Sequence, residues 1–385
     1  MRLAALIAII PAVAAAQVAQ GDRNAGFAPA FENQTRAPAL DVSPVQVTPF
    51  ADGLANPWGI AKLPDGRFLV TERPGTLRLV GADGTVSDPI TGVPEVDAQQ
   101  QGGLLDVAIA PDFAQSGVIY LTYAKAVPGG TVTAAARGVL QGTMLSDVQD
   151  IFVQGPPSDT YAHYGSRIVP TEDGKIYITT GEHFTPANRQ LAQDLDTTYG
   201  KVVRLNADGS VPLNNPFAGQ DADESIWSYG HRNVQGATLG PDGRLWTMEH
   251  GPAGGDELNQ PQPGKNYGWP VISYGVNYDG SPIGSGQTVM DGMEQPVYYW
   301  DPVIAPGGMA FYDGSYAPWQ GDLLIAGLNP GSLTRLRLQN DRVVGEERLL
   351  PDVGRVRDVE VLSGGDLLVL IDADPGQILR VTPGG

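Results

Sequence analysis

The chain has 385 residues, no cysteine and a formal net charge of −19 at pH 7. Without cysteine it can form no disulfide, thiolate zinc site, iron–sulfur cluster or haem linkage through Cys-x-x-Cys-His. The acidic balance argues against nucleic acid or an anionic membrane surface as a partner and is compatible with bound cations.

At the start, Arg2 precedes an apolar stretch from Leu3 to Ala16 that closes on Ala14-Ala15-Ala16. A positive start, a short apolar core and an Ala-x-Ala end predict a cleaved signal peptide over residues 1–16, hence a periplasmic or secreted protein. The stretch is too short to cross a bilayer, and no other run reaches the roughly 20 apolar residues that a span needs. Residues 17–40 are rich in Ala, Gln and Asn with little periodicity, and are expected to form a flexible leader.

Residues 41–385 read as one β-rich unit. Six times a short hydrophobic run ends in a Pro- or Gly-rich turn and a second β-rich run follows. The copies are Gly59 to Thr71, Asp106 to Thr122, Ser166 to Thr179, Gly236 to Met248, Gly308 to Ile325 and Asp358 to Leu370. Repetition every few tens of residues, with strands and tight turns, is the signature of a propeller. The predicted fold is therefore all-β: a six-bladed β-propeller of four-stranded antiparallel sheets. The 50 Gly and 32 Pro suit its many hairpin turns. No amphipathic run exceeds about three helical turns, which argues against a parallel sheet with crossover helices. The spacing is longest between Ser166 and Gly308, so insertions fall there, where a rigid scaffold can display a site.

The four histidines are His163, His183, His231 and His250. His163, His231 and His250 lie in polar, Gly-rich settings at strand ends, which favours a shared site, and a neutral imidazole is the usual base near pH 7. Arg232-Asn233 follows His231, and Arg355 and Arg357 flank Val356. Alternate strand residues face the same way, so the last two arginines suit a ligand with several carboxylates, or else surface ion pairs with Asp352 and Asp358. Two loops, from Glu249 to Asn259 and from Gly264 to Pro270, are rich in oxygen ligands and glycine. They suit Ca²⁺ or a plain Gly-rich turn; the ligand spacing of an EF-hand is missing.

Taken in order, these pieces resemble a known family. The pieces are Asn56-Pro-Trp-Gly-Ile60, Gln101-Gly-Gly-Leu-Leu-Asp106, His163-Tyr-Gly-Ser-Arg167 and Tyr229-Gly-His-Arg-Asn233. Glu249-His-Gly-Pro252, Asp256-Glu-Leu-Asn259, Asn266-Tyr-Gly-Trp-Pro270, Pro296-Val-Tyr-Tyr-Trp300 and Arg355-Val-Arg-Asp358 continue the series. Over about residues 45–381 the chain resembles the soluble aldose sugar dehydrogenases that use pyrroloquinoline quinone (PQQ), the soluble glucose dehydrogenase and sorbosone dehydrogenase-like group.

The resemblance implies a six-bladed propeller that oxidises C1 of a cyclic aldose to a lactone, with PQQ and Ca²⁺ as cofactors. It implies His163 as general base and Arg232 as the cation that stabilises charge on the quinone oxygen. Gln101, Arg232, Asn233, Arg355 and Arg357 would hold the cofactor. The carbonyls of Gly251 and Pro252 would bind its calcium, and Glu257 with the Tyr267 carbonyl and the loop near Ser273 to Asn277 a second one. Electrons would pass to a periplasmic acceptor, a quinone or a cytochrome. The chain departs from the family at Ala162, where the glucose enzyme has Asp, at Asn329 in place of a cofactor-contacting Lys, and at Val303 in place of a Thr. A second function remains open, a calcium-stabilised propeller that binds carbohydrate or a protein partner without redox chemistry. A propeller lactonase would need a central metal held by carboxylates and Asn, where this chain supplies Arg and His.

Overall fold

A computed structural model describes residues 18–384, so the signal peptide expected over residues 1–16 lies outside the described residues. Six antiparallel sheets follow one another along the chain, and their innermost strands pack in a closed ring. Those strands are Pro57–Lys62, Leu104–Ile109, Gly165–Pro170, Val234–Leu239, Pro306–Phe311 and Val356–Val361. Each of the six sequence repeats is therefore the innermost hairpin of one blade. Five sheets have four strands; the first has three, with an isolated Val80–Val86 bridge beside its outer strand. The sixth blade is completed by the N-terminal strand Val45–Leu54, paired from Val45↔Pro383 to Leu54↔Gly376. Joining the first strand to the last closes the ring and leaves no open edge there.

Apolar side chains fill the gaps between neighbouring blades, as with Leu69, Leu77, Leu121 and Ala136 between the first two. Leu54, Ile60, Val70, Leu370 and Ile378 do the same between the last blade and the first. Burial on both faces explains why the inner strands read as continuous hydrophobic runs, not alternating ones.

The innermost hairpins share a second feature. Each has a register shift near the start of its first strand, as between Val234 and Gly236 or between Val356 and Asp358. Such bulges re-aim side chains, and Gln235 and Arg357, the extra residues in two of them, both line the central cavity. Three threonines secure the arrangement. The hydroxyls of Thr71, Thr122 and Thr179 accept from the bulge N–H of Gly59, Asp106 and Arg167 at 2.8, 2.9 and 2.9 Å. The same hydroxyls donate to Leu105, Ser166 and Val234 of the following blade.

The expected flexible leader is instead packed from residue 24 onward. The backbone N–H groups of Asn24, Ala25 and Gly26 donate to the Asp301 carboxylate at 2.6, 3.0 and 3.1 Å. Gln34 is fully buried and donates to the Pro296 carbonyl at 3.0 Å, and the Ala37 N–H donates to the Tyr298 hydroxyl at 2.9 Å. Its polar groups find partners on the fourth and fifth blades, a kind of order that carries no periodicity.

Candidate active site

The bulges surround a cavity of about 470 Å³ at one end of the channel. Its floor is a buried guanidinium. Arg167 donates to the carboxylates of Asp106 and Asp358, each at 2.9 Å, and to the Gln235 carbonyl at 2.7 Å. Its charge also lies 4.3 Å from the Trp58 ring centre. One side chain thereby ties five blades together. The remaining blade, the fifth, contributes Gly308, where a Cβ would sit 1.6 Å from Asp358 Oδ1. Burial pushes the Asp106 pKa up to about 6 against the opposing pull of Arg167.

His163 lies on the cavity wall, 6% exposed, in the left-handed region at φ 51°. Its backbone N–H donates to Gln101 Oε1 at 2.9 Å, and its ring Nδ1 faces Glu182 Oε1 at 3.3 Å. A carboxylate on Nδ1 fixes the tautomer that leaves Nε2 free to accept a proton. Burial, then the Arg232 charge, holds the His163 pKa below its usual value, with Glu182 working against them. Burial acts to raise the Glu182 pKa, but its contact with His163 and the charge of Arg232 outweigh that and keep it low. A neutral base beside an ionised carboxylate results.

The rest of the wall is rich in arginine, beginning beside His163, where Arg232 Nε is 3.9 Å from Glu182 Oε1. Arg232, 3% exposed, donates from Nη1 to the carbonyls of His250 and Gly251 at 2.8 and 2.7 Å. Arg357 pairs with Asp372 at 2.8 Å and Arg355 with the same carboxylate at 3.5 Å. Their partner is therefore Asp372, not Asp352 or Asp358. Arg73 and Asn56 add to this wall. Asn233 also lines the cavity, and its Oδ1 accepts from the Gly165 N–H at 2.9 Å. Two buried nitrogens here, Nε of Arg232 and Nε of Arg357, have no hydrogen-bond partner within the protein. Unpaired buried donors among several guanidiniums fit a polycarboxylate such as PQQ. Asn329 is exposed, and its neighbour Leu328 lines the cavity instead.

The residues expected at two separate calciums, Gly251 with Pro252 and Glu257 with Tyr267, lie side by side. Gly251, Pro252, Glu257 and Tyr267 all line one void of about 10 Å³ beside the main cavity, and Gly251 borders both. Glu249 and Glu257 face each other across antiparallel strands, a repulsive placement for two carboxylates. Burial, then the Glu249 charge, pushes the Glu257 pKa well above its usual value. A void the size of one ion, bordered by a strained carboxylate and backbone, fits a cation with oxygen ligands. Among the described residues there is no cluster of three or more His, Asp or Glu suited to a metal. Backbone oxygens would therefore have to complete any such site.

The histidines do not form one group. His163 and His250 line the cavity, whereas His231 is fully buried behind it, stacked on Tyr267 and bonded to Glu249 at 2.9 Å. His250 Nε2 is 2.7 Å from the Pro306 carbonyl, and burial holds its pKa well below the usual value. His183 is buried against Gln154. Sequence reasoning missed Glu182, Gln235 and Asp372. Only the Gly181-Glu182-His183 strand end offered a signal, a Glu-His pair like Glu249-His250.

A buried histidine held by a carboxylate, a set of arginines and a propeller channel define a candidate active site, and the chain has known relatives. The chain belongs to the glucose/sorbosone dehydrogenase family, whose profile matches residues 54–380. It is 43% identical over 348 residues to the aldose sugar dehydrogenase YliI of Escherichia coli K12, covering 88% of this chain and 93% of that one. Its fold matches the apo-form of the soluble aldose sugar dehydrogenase of Escherichia coli with a TM-score of 0.84 at 42% identity, over 88% of this chain and all of that one. The PQQ-bound aldose sugar dehydrogenase of Streptomyces coelicolor matches with a TM-score of 0.74 at 30% identity, over 89% and 100%. Among the described residues, no helix is long and apolar enough to cross a membrane.

Proposed function

We propose that this protein is an exported PQQ- and calcium-dependent aldose sugar dehydrogenase that oxidises the C1 hydroxyl to a lactone. The observation that carries the reading is His163 held by Glu182 on Nδ1, in the wall of a cavity that Arg73, Arg232, Arg355 and Arg357 also line. PQQ, when bound, supplies the two-electron acceptor that the side chains lack.

The chain's own residues supply the rest. His163 Nε2 takes the proton from the C1 hydroxyl, and Glu182 stabilises the imidazolium that forms. Arg232, Arg355 and Arg357 bind the carboxylates and carbonyls of the quinone, with Gln101 and Asn233 completing its seat. Arg232 also places positive charge where negative charge develops, and its burial keeps that charge unscreened. Gly251 and Pro252 would offer carbonyls to the cofactor's calcium, and Glu257 with the Tyr267 carbonyl would hold a structural one. Electrons leave to a periplasmic quinone or cytochrome.

The test is reconstitution of purified protein with PQQ and Ca²⁺, followed by dye reduction with several aldoses. Absence of quinone binding at micromolar concentration would sink the proposal.

A further inference from the structure

Large aromatic side chains are normally buried, so an exposed pair at a cavity mouth points to a ligand. Among the large hydrophobic residues exposed in the described chain, only two are aromatic, Phe184 at 40% and Tyr278 at 70%. They are neighbours, with ring centres 6.5 Å apart and planes tilted by 37°. Tyr278 lines the cavity, and Phe184 stands just behind that lining, meeting the His163 ring edge-on at 5.1 Å.

The backbone holds this arrangement at a cost. His183 and Phe184 are consecutive non-glycine residues at φ 58° and 69°, a left-handed conformation that bulky side chains avoid. It is held by the Phe184 N–H donating to the Glu182 carboxylate and the Thr185 N–H donating to the His183 carbonyl at 2.9 Å. Arg189 then donates to Asn277 Oδ1 at 3.0 Å, tying the loop of Phe184 to the loop of Tyr278. Strain kept at a functional site, with two loops cross-linked, fixes the rings in advance and lowers the entropy lost when a ligand stacks on them.

We propose that Phe184 and Tyr278 form a stacking subsite for sugar rings, which rests on the aldose-oxidation reading. Pyranose rings carry faces of C–H groups that pack on aromatic rings, while their hydroxyl edges remain free for polar side chains. Phe184, against the base, flanks the ring being oxidised. Tyr278, one ring farther out, flanks the second ring of a reducing disaccharide.

The test uses Tyr278→Ala, Phe184→Ala and the conservative Tyr278→Phe in the reconstituted enzyme, varying glucose, maltose and dye separately. Tyr278→Ala should raise KM for maltose about three- to tenfold, the loss of one stacked face. The rise for glucose should be smaller than that for maltose, and Tyr278→Phe should retain wild-type values. Phe184→Ala should raise KM for both sugars. Saturation-transfer NMR with methyl maltoside, which has no free C1 hydroxyl, reads binding without turnover. If turnover fails but transfer to the outer ring still depends on Tyr278, the subsite stands and the oxidation reading falls. Normal turnover with unmoved sugar KM values overturns the subsite. So does a rise confined to the dye, which would assign the platform to the electron acceptor.

Discussion

Replacing Glu182 with Gln keeps the shape of the side chain and removes one buried charge. Glu182 is 0% exposed, 3.3 Å from His163 Nδ1 and 3.9 Å from Arg232 Nε. A hydrogen bond to a buried charged group contributes about 1.5–3 kcal/mol. If that interaction is strongest when His163 holds the substrate proton, its loss lowers kcat by about 10- to 150-fold. At 3.3 Å the contact is long for a charge-assisted bond, so the lower half of that range is expected. The pH profile supplies an independent sign. Burial and Arg232 hold the His163 pKa down while Glu182 raises it, so the variant's pKa must fall further. With neutral His163 as the proposed base, kcat/KM is lost as pH falls through this pKa. The acid limb of Glu182→Gln should therefore lie at lower pH than that of the wild type, with quinone affinity retained in an absorbance titration. An unchanged kcat, or an acid limb displaced to higher pH, would refute the assignment of Glu182 as the group that positions and charges the base.

Three further outcomes follow from buried contacts. Arg167→Met strands Asp106 and Asp358 and should cost about 3–5 kcal/mol in chemical denaturation; adding Asp106→Asn should recover part of it, because the two changes share one network. Gly308→Ala forces a methyl against Asp358 and should cost about 1–3 kcal/mol in the same assay. Calcium should raise Tm, and Glu257→Gln should abolish the rise. Because burial and the Glu249 charge raise the Glu257 pKa, calcium competes with a proton there, so its affinity measured by calorimetry should increase with pH.

The ring of blades could be read from the sequence because each innermost hairpin repeats the same local grammar: a hydrophobic run, a tight turn, a second run. His163, Arg232, Asn233, Arg355 and Arg357 could be named because they sit in short motifs. Contacts between distant positions left no such trace. Glu182 is an acid among 43 acidic residues until the fold brings it to His163. The packing of residues 24–40 depends on Asp301 and Tyr298, more than 250 residues away, and Phe184 meets Tyr278 only across two loops.

The clearest case lies inside the motifs themselves. Gln101 to Asp106, His163 to Arg167 and Arg355 to Asp358 each begin with a residue on the cavity wall and end with one in the Arg167 cluster. Read singly, each motif marks a ligand contact; read together, their last residues form the ion cluster that joins the blades below the cavity. Wall and floor meet in these motifs, most directly in the last blade, where the bulge places Arg357 on the cavity wall and its neighbour Asp358 against Arg167. A change in the cluster should therefore move the cavity wall as well as weaken the ring. Arg167→Met, beyond its loss of stability, should lower quinone affinity although Arg167 itself lies beneath the cavity lining. If affinity holds while stability falls by the expected amount, floor and wall are independent and the bulges do not couple them.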